Sequence, residues 1–305
     1  MASHPAPPFA IPRPRLADAP PGVRAAVEGL LGGPIGAEQA AEAGFTHSIA
    51  SVVTGRCGRR LFVKAAAPGD AVEAGIVLAA VTGEIGPRLA GSAAVGDWRV
   101  AAYEVIEGET LTRWQAADLP ELLRVVRRMR ELLDPSPIAG TSPYAQAFLP
   151  LLGAWQAWEH TADHPPLPVD LPVALLAELE RRWLTALAGG GALQHGDLRR
   201  DNVIRQPDGR LRIVDWTHRW TAPGWMDLVR LAPDLAACGH DPEQVLRRSC
   251  WRDAPAGDVN VALAGLAGRA WRDGHLPDLP GLRRMQREQG LHLLRWLDRR
   301  LRVCS

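Results

Sequence analysis

Hydrophobic positions along this chain change period once. Up to Thr110 the pattern is rich in short β-prone runs with two helical stretches among them, and beyond it the positions mostly recur every three or four residues. Ile49-Ala50-Ser51-Val52-Val53-Thr54 is rich in β-branched residues, Gly55-Arg56-Cys57-Gly58 is a turn, and Arg60-Leu61-Phe62-Val63-Lys64 is a second strand. Together they predict a hairpin with Lys64 at the end of its second arm, inside a stretch over 38–64 that reads as strands broken by turns. Val23–Leu31 and Ala71–Thr82 have helical spacing, and the second of these contains Glu73. Trp98–Ile106 predicts another strand, which runs into the linker Glu107-Gly108-Glu109-Thr110. Residues 1–20 are proline-rich and predict a flexible arm.

The later part predicts helices over Leu119–Leu133, Leu171–Leu187, Asp227–Ala237, Val259–Trp271 and Leu282–Leu301. A turn at Ala188-Gly189-Gly190-Gly191 closes the second of them. Two short strands, Asn202–Arg205 and Leu211–Val214, are joined by the turn Pro207-Asp208-Gly209. The expected organisation is an arm over 1–20, a strand-rich lobe over 21–106 and a mainly helical lobe over 107–305, with a cleft between the lobes.

Composition narrows the function by exclusion. A net charge of +1 gives no electrostatic case for nucleic acid or an anionic membrane. No apolar run reaches the roughly 18 residues that span a bilayer, and the N-terminus lacks the apolar core of a signal peptide. The four cysteines include no CxxC pair, so the expectation is reduced thiols in the cytoplasm rather than a zinc or redox centre. One bias is informative. Of 35 basic residues only Lys64 is lysine, and a compact ammonium differs from a planar guanidinium in what it can hold.

The chemistry concentrates in Leu193-Gln194-His195-Gly196-Asp197-Leu198-Arg199-Arg200-Asp201-Asn202-Val203, followed by Ile213-Val214-Asp215-Trp216. His195-Gly196-Asp197, Asn202 five residues after the Asp, and an apolar strand ending in Asp215 resemble the aminoglycoside phosphotransferase and choline kinase group. The resemblance runs from about Gly44 to about Leu231. It implies an α+β, bilobal protein-kinase-like fold, with a small antiparallel-sheet lobe and a larger helical one. It also implies a small-molecule kinase that moves a nucleotide γ-phosphate to a hydroxyl acceptor such as an antibiotic, sugar or amino alcohol. A catalytically inactive nucleotide-binding protein of the same fold is the alternative. The full residue set counts against it, and the missing GxGxxG loop and HRD triplet count against a protein kinase.

The spacing suits phosphoryl transfer, which needs an oriented hydroxyl, magnesium and charge neutralisation. Asp197 would accept the hydroxyl proton. Asn202 and Asp215 would offer hard oxygens to Mg2+, and the turn at Pro207-Asp208-Gly209 would bring their strands together. His195 reads as a general base or as loop support, and the resemblance favours support, with Asp227 bracing the same loop. Asp208 reads as a turn residue, and Asp201 as solvated or locally hydrogen-bonded rather than catalytic.

On the nucleotide side, the resemblance gives Lys64 the α- and β-phosphates of ATP. Glu73 would hold Lys64 in an ion pair, with Glu84 as a weaker candidate, or remain a solvated helix acid. Gly44-Phe45-Thr46-His47-Ser48 sits where the family has its nucleotide-covering loop, so the Thr46 and Ser48 hydroxyls are candidate phosphate contacts. The Glu104 carbonyl and Ile106 amide would meet the purine edge. Tyr103 reads either as a bulky gatekeeper, which would crowd adenine and make GTP use possible, or as a core residue.

The acceptor is less legible. Residues 110–305 carry 23 acids and 26 arginines, a net of +3, whereas polycationic acceptors call for acidic surfaces. Trp155, Trp158, Trp216, Trp220 and Trp225 read as stacking surfaces or as core. Arg199, Arg200 and Arg219 read as contacts to an anion or as solvated surface. The oligomeric state is not legible.

Overall fold

The computed structural model describes residues 13–41, 48–161 and 163–303. They form two compact units. The first comprises the described residues up to Glu109 together with Ile204–Asp208 and Arg212–His218. The second comprises Thr110–Val203, Gly209–Leu211 and the chain from Arg219 onward.

The first unit is built by strict alternation. Strands β1 (Ile35–Ala40), β2 (Ile49–Gly55), β3 (Arg60–Ala66), β4 (Leu89–Val95) and β5 (Trp98–Tyr103) form one antiparallel sheet in the order β1-β2-β3-β5-β4. Successive side chains point to opposite faces. Leu61, Val63 and Ala65 of β3 and Val100 and Ala102 of β5 are therefore buried on one face, against Val23, Val27 and Leu31 of helix α1 (Pro21–Leu31). Phe62, Ala66, Ala101 and Tyr103 line the other, where Val72, Ile76 and Ala79 of helix α2 (Asp70–Thr82) pack. Lys64 shares this second face by parity, paired across the sheet with Ala101.

The flexible arm expected over 1–20 does not extend through 13–20. Leu16 is 1% exposed and belongs to the α1 face of the core. Its N–H donates to Glu38 Oε1 at 2.8 Å, and a short 3-10 turn spans Leu16–Asp18. A single apolar residue among prolines is enough to pin the segment once a carboxylate receives its amide. The expected strand over Trp98–Ile106 stops at Tyr103, and residues 104–107 are non-regular chain.

The second unit is mainly helical. Its helices are α3 (Leu119–Leu133), α4 (Tyr144–Phe148), α5 (Ala154–Trp158), α6 (Val173–Arg181), α7 (Trp183–Leu187), α8 (Met226–Ala237), α9 (Pro242–Arg248), α10 (Ala256–Gly274) and α11 (Pro280–Val303). The helix expected over Leu171–Leu187 is broken at Arg182 into α6 and α7. Short strands punctuate the chain: β6 (Glu109–Thr110), β7 (Ser142–Pro143), β8 (Ala192–Gln194), β9 (Val203–Arg205), β10 (Leu211–Ile213) and β11 (Trp220–Ala222). β11 pairs with β7 in parallel and with β8 antiparallel.

Helix α10 is the axis of this core, and nearly all its residues from Val259 to Trp271 are buried. Trp155 and Trp183, both essentially inaccessible, close on it from two sides. Their indole N–H groups donate to Ala264 O at 2.8 Å and to Ala145 O at 2.9 Å. Gly265 and Gly268 make the approach feasible. A Cβ at either would lie 2.6 Å from the facing indole. Trp216 and Trp225 are also buried. The tryptophans at these four positions are core residues, not a stacking surface. Trp158 is half-buried and packs edge-on against Trp155, with ring centroids 5.5 Å apart. Among the described residues, no helix is long and apolar enough to cross a membrane.

Candidate active site

The sequence motifs fall into two groups of residues, one in each unit. In the first unit, Asp215 follows β10 and Val214. The strand is seated by Ile213, whose N–H donates to Ile85 O at 2.7 Å, and by Trp216, whose indole N–H donates to Ile213 O at 2.9 Å. Gly75 and Gly86 leave room for this chain. A Cβ at Gly75 would meet the Trp216 carbonyl at 3.2 Å, and one at Gly86 would meet the Ile213 carbonyl at 2.9 Å. Asp215 has φ +64°, a left-handed conformation that costs any side chain and is best tolerated by Asp and Asn. Such strain persists where the surroundings impose it, and it clusters at functional positions.

Asp215 Oδ1 accepts from the Lys64 ammonium in an ion pair. Lys64 is largely buried and Asp215 is partly exposed. The expected Lys64–Glu73 pair is not the one formed. Glu73 lies in the first turn of α2, its side chain half exposed, with Oε2 3.4 Å from Arg99 Nε. Its position, one residue past the sheet-facing Val72, turns it off the packed face of α2, toward the open surface lined by Asp70, Asp97 and Arg99.

Sequence reasoning missed Arg13. Its Nη1 donates to Ser48 Oγ at 3.2 Å. Burial lowers its pKa, and the negative charge of Asp215 works against that lowering. Thr46, with the rest of Gly44–His47, lies outside the described residues.

Tyr103 packs into the α2 face of the sheet and is 6% exposed. Its hydroxyl would stand 2.8 Å from a Cβ at Gly75. Glu104 is held by its neighbours. Its N–H donates to Arg88 O at 2.9 Å, and its carboxylate accepts from Arg88 N–H at 3.2 Å and from Arg212 at 3.0 Å. Ile106, two residues on, is half-buried.

The buried phenols give a pH signature. Burial pushes Tyr103 up from 10.0 to about 12, and the charge of Asp215 adds to it. Tyr144, the only other tyrosine, is raised as well, because burial outweighs the opposing charge of Arg230. The unfolded chain therefore releases these protons first. The stability owed to the neutral Tyr103 phenol is complete below pH 10 and is lost as pH rises to about 12, and Tyr144 contributes in the same direction. Urea midpoints should fall across that window, and a flat profile would contradict the buried placement of Tyr103.

In the second unit, the loop after β8 carries the other group. His195 is fully buried, and Gly196 takes φ +79°, which glycine adopts without cost. Asp227, at the start of α8, receives two backbone amides. His195 N–H donates to its Oδ2 at 2.7 Å and Gly196 N–H to its Oδ1 at 3.0 Å. Asp197 N–H then donates to His195 Nδ1 at 3.2 Å, which makes that nitrogen an acceptor. Asn202 closes the loop, with Nδ2 donating to Asp197 O at 2.8 Å. The Asp197 backbone is thus held on both sides while its carboxylate is 41% exposed.

Around that carboxylate stand two arginines, Arg199 Nη1 at 3.9 Å and Arg230 Nη2 at 3.8 Å. Arg199 is occupied by Asp201 through two bonds, at 3.0 and 2.6 Å. Burial opposes its charge, yet Asp197 and Asp201 hold its pKa above the ordinary arginine value. Arg200 is bound to Asp234 at 2.6 Å, and Arg219 donates to Ala139 O at 2.8 Å. Arg230 escaped sequence reasoning because one helical arginine among 34 carries no signal.

Each unit holds an oxygen donor of the hard kind that magnesium takes. Asp215 offers a carboxylate. Asn202 spends its amide nitrogen on Asp197 O, which leaves its amide oxygen for a cation.

A family model described as the phosphotransferase enzyme family matches residues 39–275. Among solved structures, a thermostable mutant of the aminoglycoside phosphotransferase APH(4)-Ia, in ternary complex with ADP and hygromycin B, superposes with a TM-score of 0.61 at 12% identity. That match covers 92% of this chain and 98% of that one. An aminoglycoside phosphotransferase from Alicyclobacillus acidocaldarius gives 0.54 at 15% identity, covering 88% and 92%. The choline kinase LicA from Streptococcus pneumoniae gives 0.54 at 13%, covering 92% and 98%. At these identities the likeness speaks for the fold, an α+β kinase-like one with an antiparallel-sheet part and a helical part. No curated protein gives a significant sequence match. With the family model spanning most of its length, the chain belongs to the phosphotransferase enzyme family.

Proposed function

We propose that the protein transfers the γ-phosphate of ATP to a hydroxyl of a small molecule, with Asp197 as base. The observation that carries this reading is the clamp on Asp197. Asp227, His195 and Asn202 fix its backbone, while its carboxylate stays accessible. A base must hold a set position and still reach a hydroxyl at hydrogen-bond distance.

The other roles follow from charge. Lys64 faces the α- and β-phosphates with the only ammonium side chain of the protein. Asn202 and Asp215 would hold magnesium, which when bound draws negative charge from the phosphates. Asp197 takes the acceptor proton as the oxygen attacks. His195 and Asp227 position the loop and do not touch substrate. Ser48 is a candidate phosphate contact, and Arg13 fixes its hydroxyl. The backbone of Glu104 and Ile106 serves the purine. Tyr103 acts as a packing residue, so the donor is ATP in this reading. A strong preference for GTP at equal concentration would reopen the gatekeeper role.

The test is a screen for acceptor-dependent ADP release across aminoglycosides, macrolides, amino alcohols, nucleosides, sugars and hydroxy acids, with and without magnesium. The expected result is turnover with one acceptor class that stops when magnesium is chelated. Failure to bind ATP in the presence of magnesium would sink the proposal.

A further inference from the structure

Arg230 is a largely buried cation whose hydrogen-bonding fork is only partly used. It leaves α8 three residues after Asp227. One Nη donates to the Tyr144 hydroxyl. Its contact to Asp197 at 3.8 Å is too long for a hydrogen bond, and its buried Nε has no hydrogen-bond partner among the described residues. The guanidinium lies 5.5 Å from the Tyr144 ring centre and 5.6 Å from that of Phe148. Arg269 of α10 stands 4.8 Å from the same Phe148 ring. One aromatic side chain thus has two cations against it.

The nearby carboxylates are already engaged. Asp227 gives both oxygens to backbone amides. Asp273 binds Arg272 at 2.8 Å and lies 3.5 Å from Arg269. Asp197 is the proposed base, and Arg199 has its own partner in Asp201. Burial pushes the Arg269 pKa down from its ordinary value, and the charge of Arg230 pushes the same way. Two guanidiniums crowded on one ring, one of them with a buried N–H left unpaired, are costly to keep desolvated, and an arriving anion lowers that cost.

We propose that Arg230 and Arg269 form a subsite for an anionic group on the acceptor, a carboxylate or a phosphate, beside the hydroxyl that Asp197 deprotonates. The inference rests on the kinase reading for the hydroxyl and on the arginine pair for the anion. Guanidinium forks match both anions in geometry. The acceptor is then a hydroxy acid or a phosphorylated polyol, not a polycation.

Calorimetric titration of the full chain tests this with four small probes: glycerate, glycerol phosphate, glycerol and choline. At least one anion should bind about tenfold or more tighter than glycerol, the scale of one charge-assisted bond, with choline the weakest. Which anion wins separates carboxylate from phosphate. Arg269→Gln should erase the preference and Arg269→Lys should keep part of it, with melting curves reporting that both variants fold. Equal binding of all four probes, or a preference that survives Arg269→Gln, would overturn the subsite. The readout needs no turnover. Anion preference in a protein that fails to bind ATP with magnesium would keep the subsite and remove the kinase reading.

Discussion

Asp197→Asn should lower turnover by about 100- to 10,000-fold, the range that one positioned base contributes. Nucleotide affinity should stay within a few-fold of the parent. The reason for the split lies in which atoms of residue 197 do what. Its N–H and C=O take part in the loop network, through His195 Nδ1 and Asn202 Nδ2. Its carboxylate takes part in no hydrogen bond of that network and lies near 4 Å from Arg199 and Arg230. Asparagine keeps the shape and the backbone bonds and loses only the proton acceptor. Steady-state kinetics on the true acceptor, beside nucleotide titration, reads both quantities. Near-normal turnover would remove Asp197 as base. A joint collapse of nucleotide binding and fold would show that the carboxylate is structural.

Much of this could be read from sequence because the chemistry is local. Asp197 and Asn202 lie within one turn-rich loop, so the sequence puts them in one local structure, and the resemblance of the whole motif supplies their expected roles. The β2–β3 hairpin follows from two β-prone runs around a turn, and the place of Lys64 at the end of its second arm follows with it. What failed was long-range or composed of bland residues. β4 reads Leu-Ala-Gly-Ser-Ala-Ala-Val, with β-branching only at its last residue, and it exists because β5 pairs with it. Glu73 reads as the Lys64 partner because it lies on the helix nine residues further along the chain. The side chain that meets Lys64 is Asp215, 151 residues away. Arg13 was hidden in a proline-rich segment whose order depends on Glu38. The arginine pair at 230 and 269 was invisible because nothing in one sequence reveals that two helices set two cations on one ring.

Asp215 is the other residue whose loss should be severe, and its backbone makes the test sharper than a single substitution. Asp215→Asn should weaken magnesium-dependent nucleotide binding by more than the roughly 10- to 100-fold that even outer-shell partners of a metal contribute. Turnover should fall with it. Asparagine tolerates the φ of +64° at this position and still lacks the charge that the Lys64 ammonium and a cation require. Asp215→Ala removes the same charge and adds the left-handed penalty of an ordinary side chain, about 1–2 kcal/mol. The two variants should therefore bind magnesium-nucleotide equally poorly, while the alanine variant melts lower. Titration of nucleotide with and without magnesium, alongside thermal unfolding, separates the two terms. If Asp215→Asn kept the parent's full magnesium-dependent gain in affinity, the carboxylate would not be a metal ligand. Its pairing with Lys64 would then be the whole reason for an aspartate in a strained conformation.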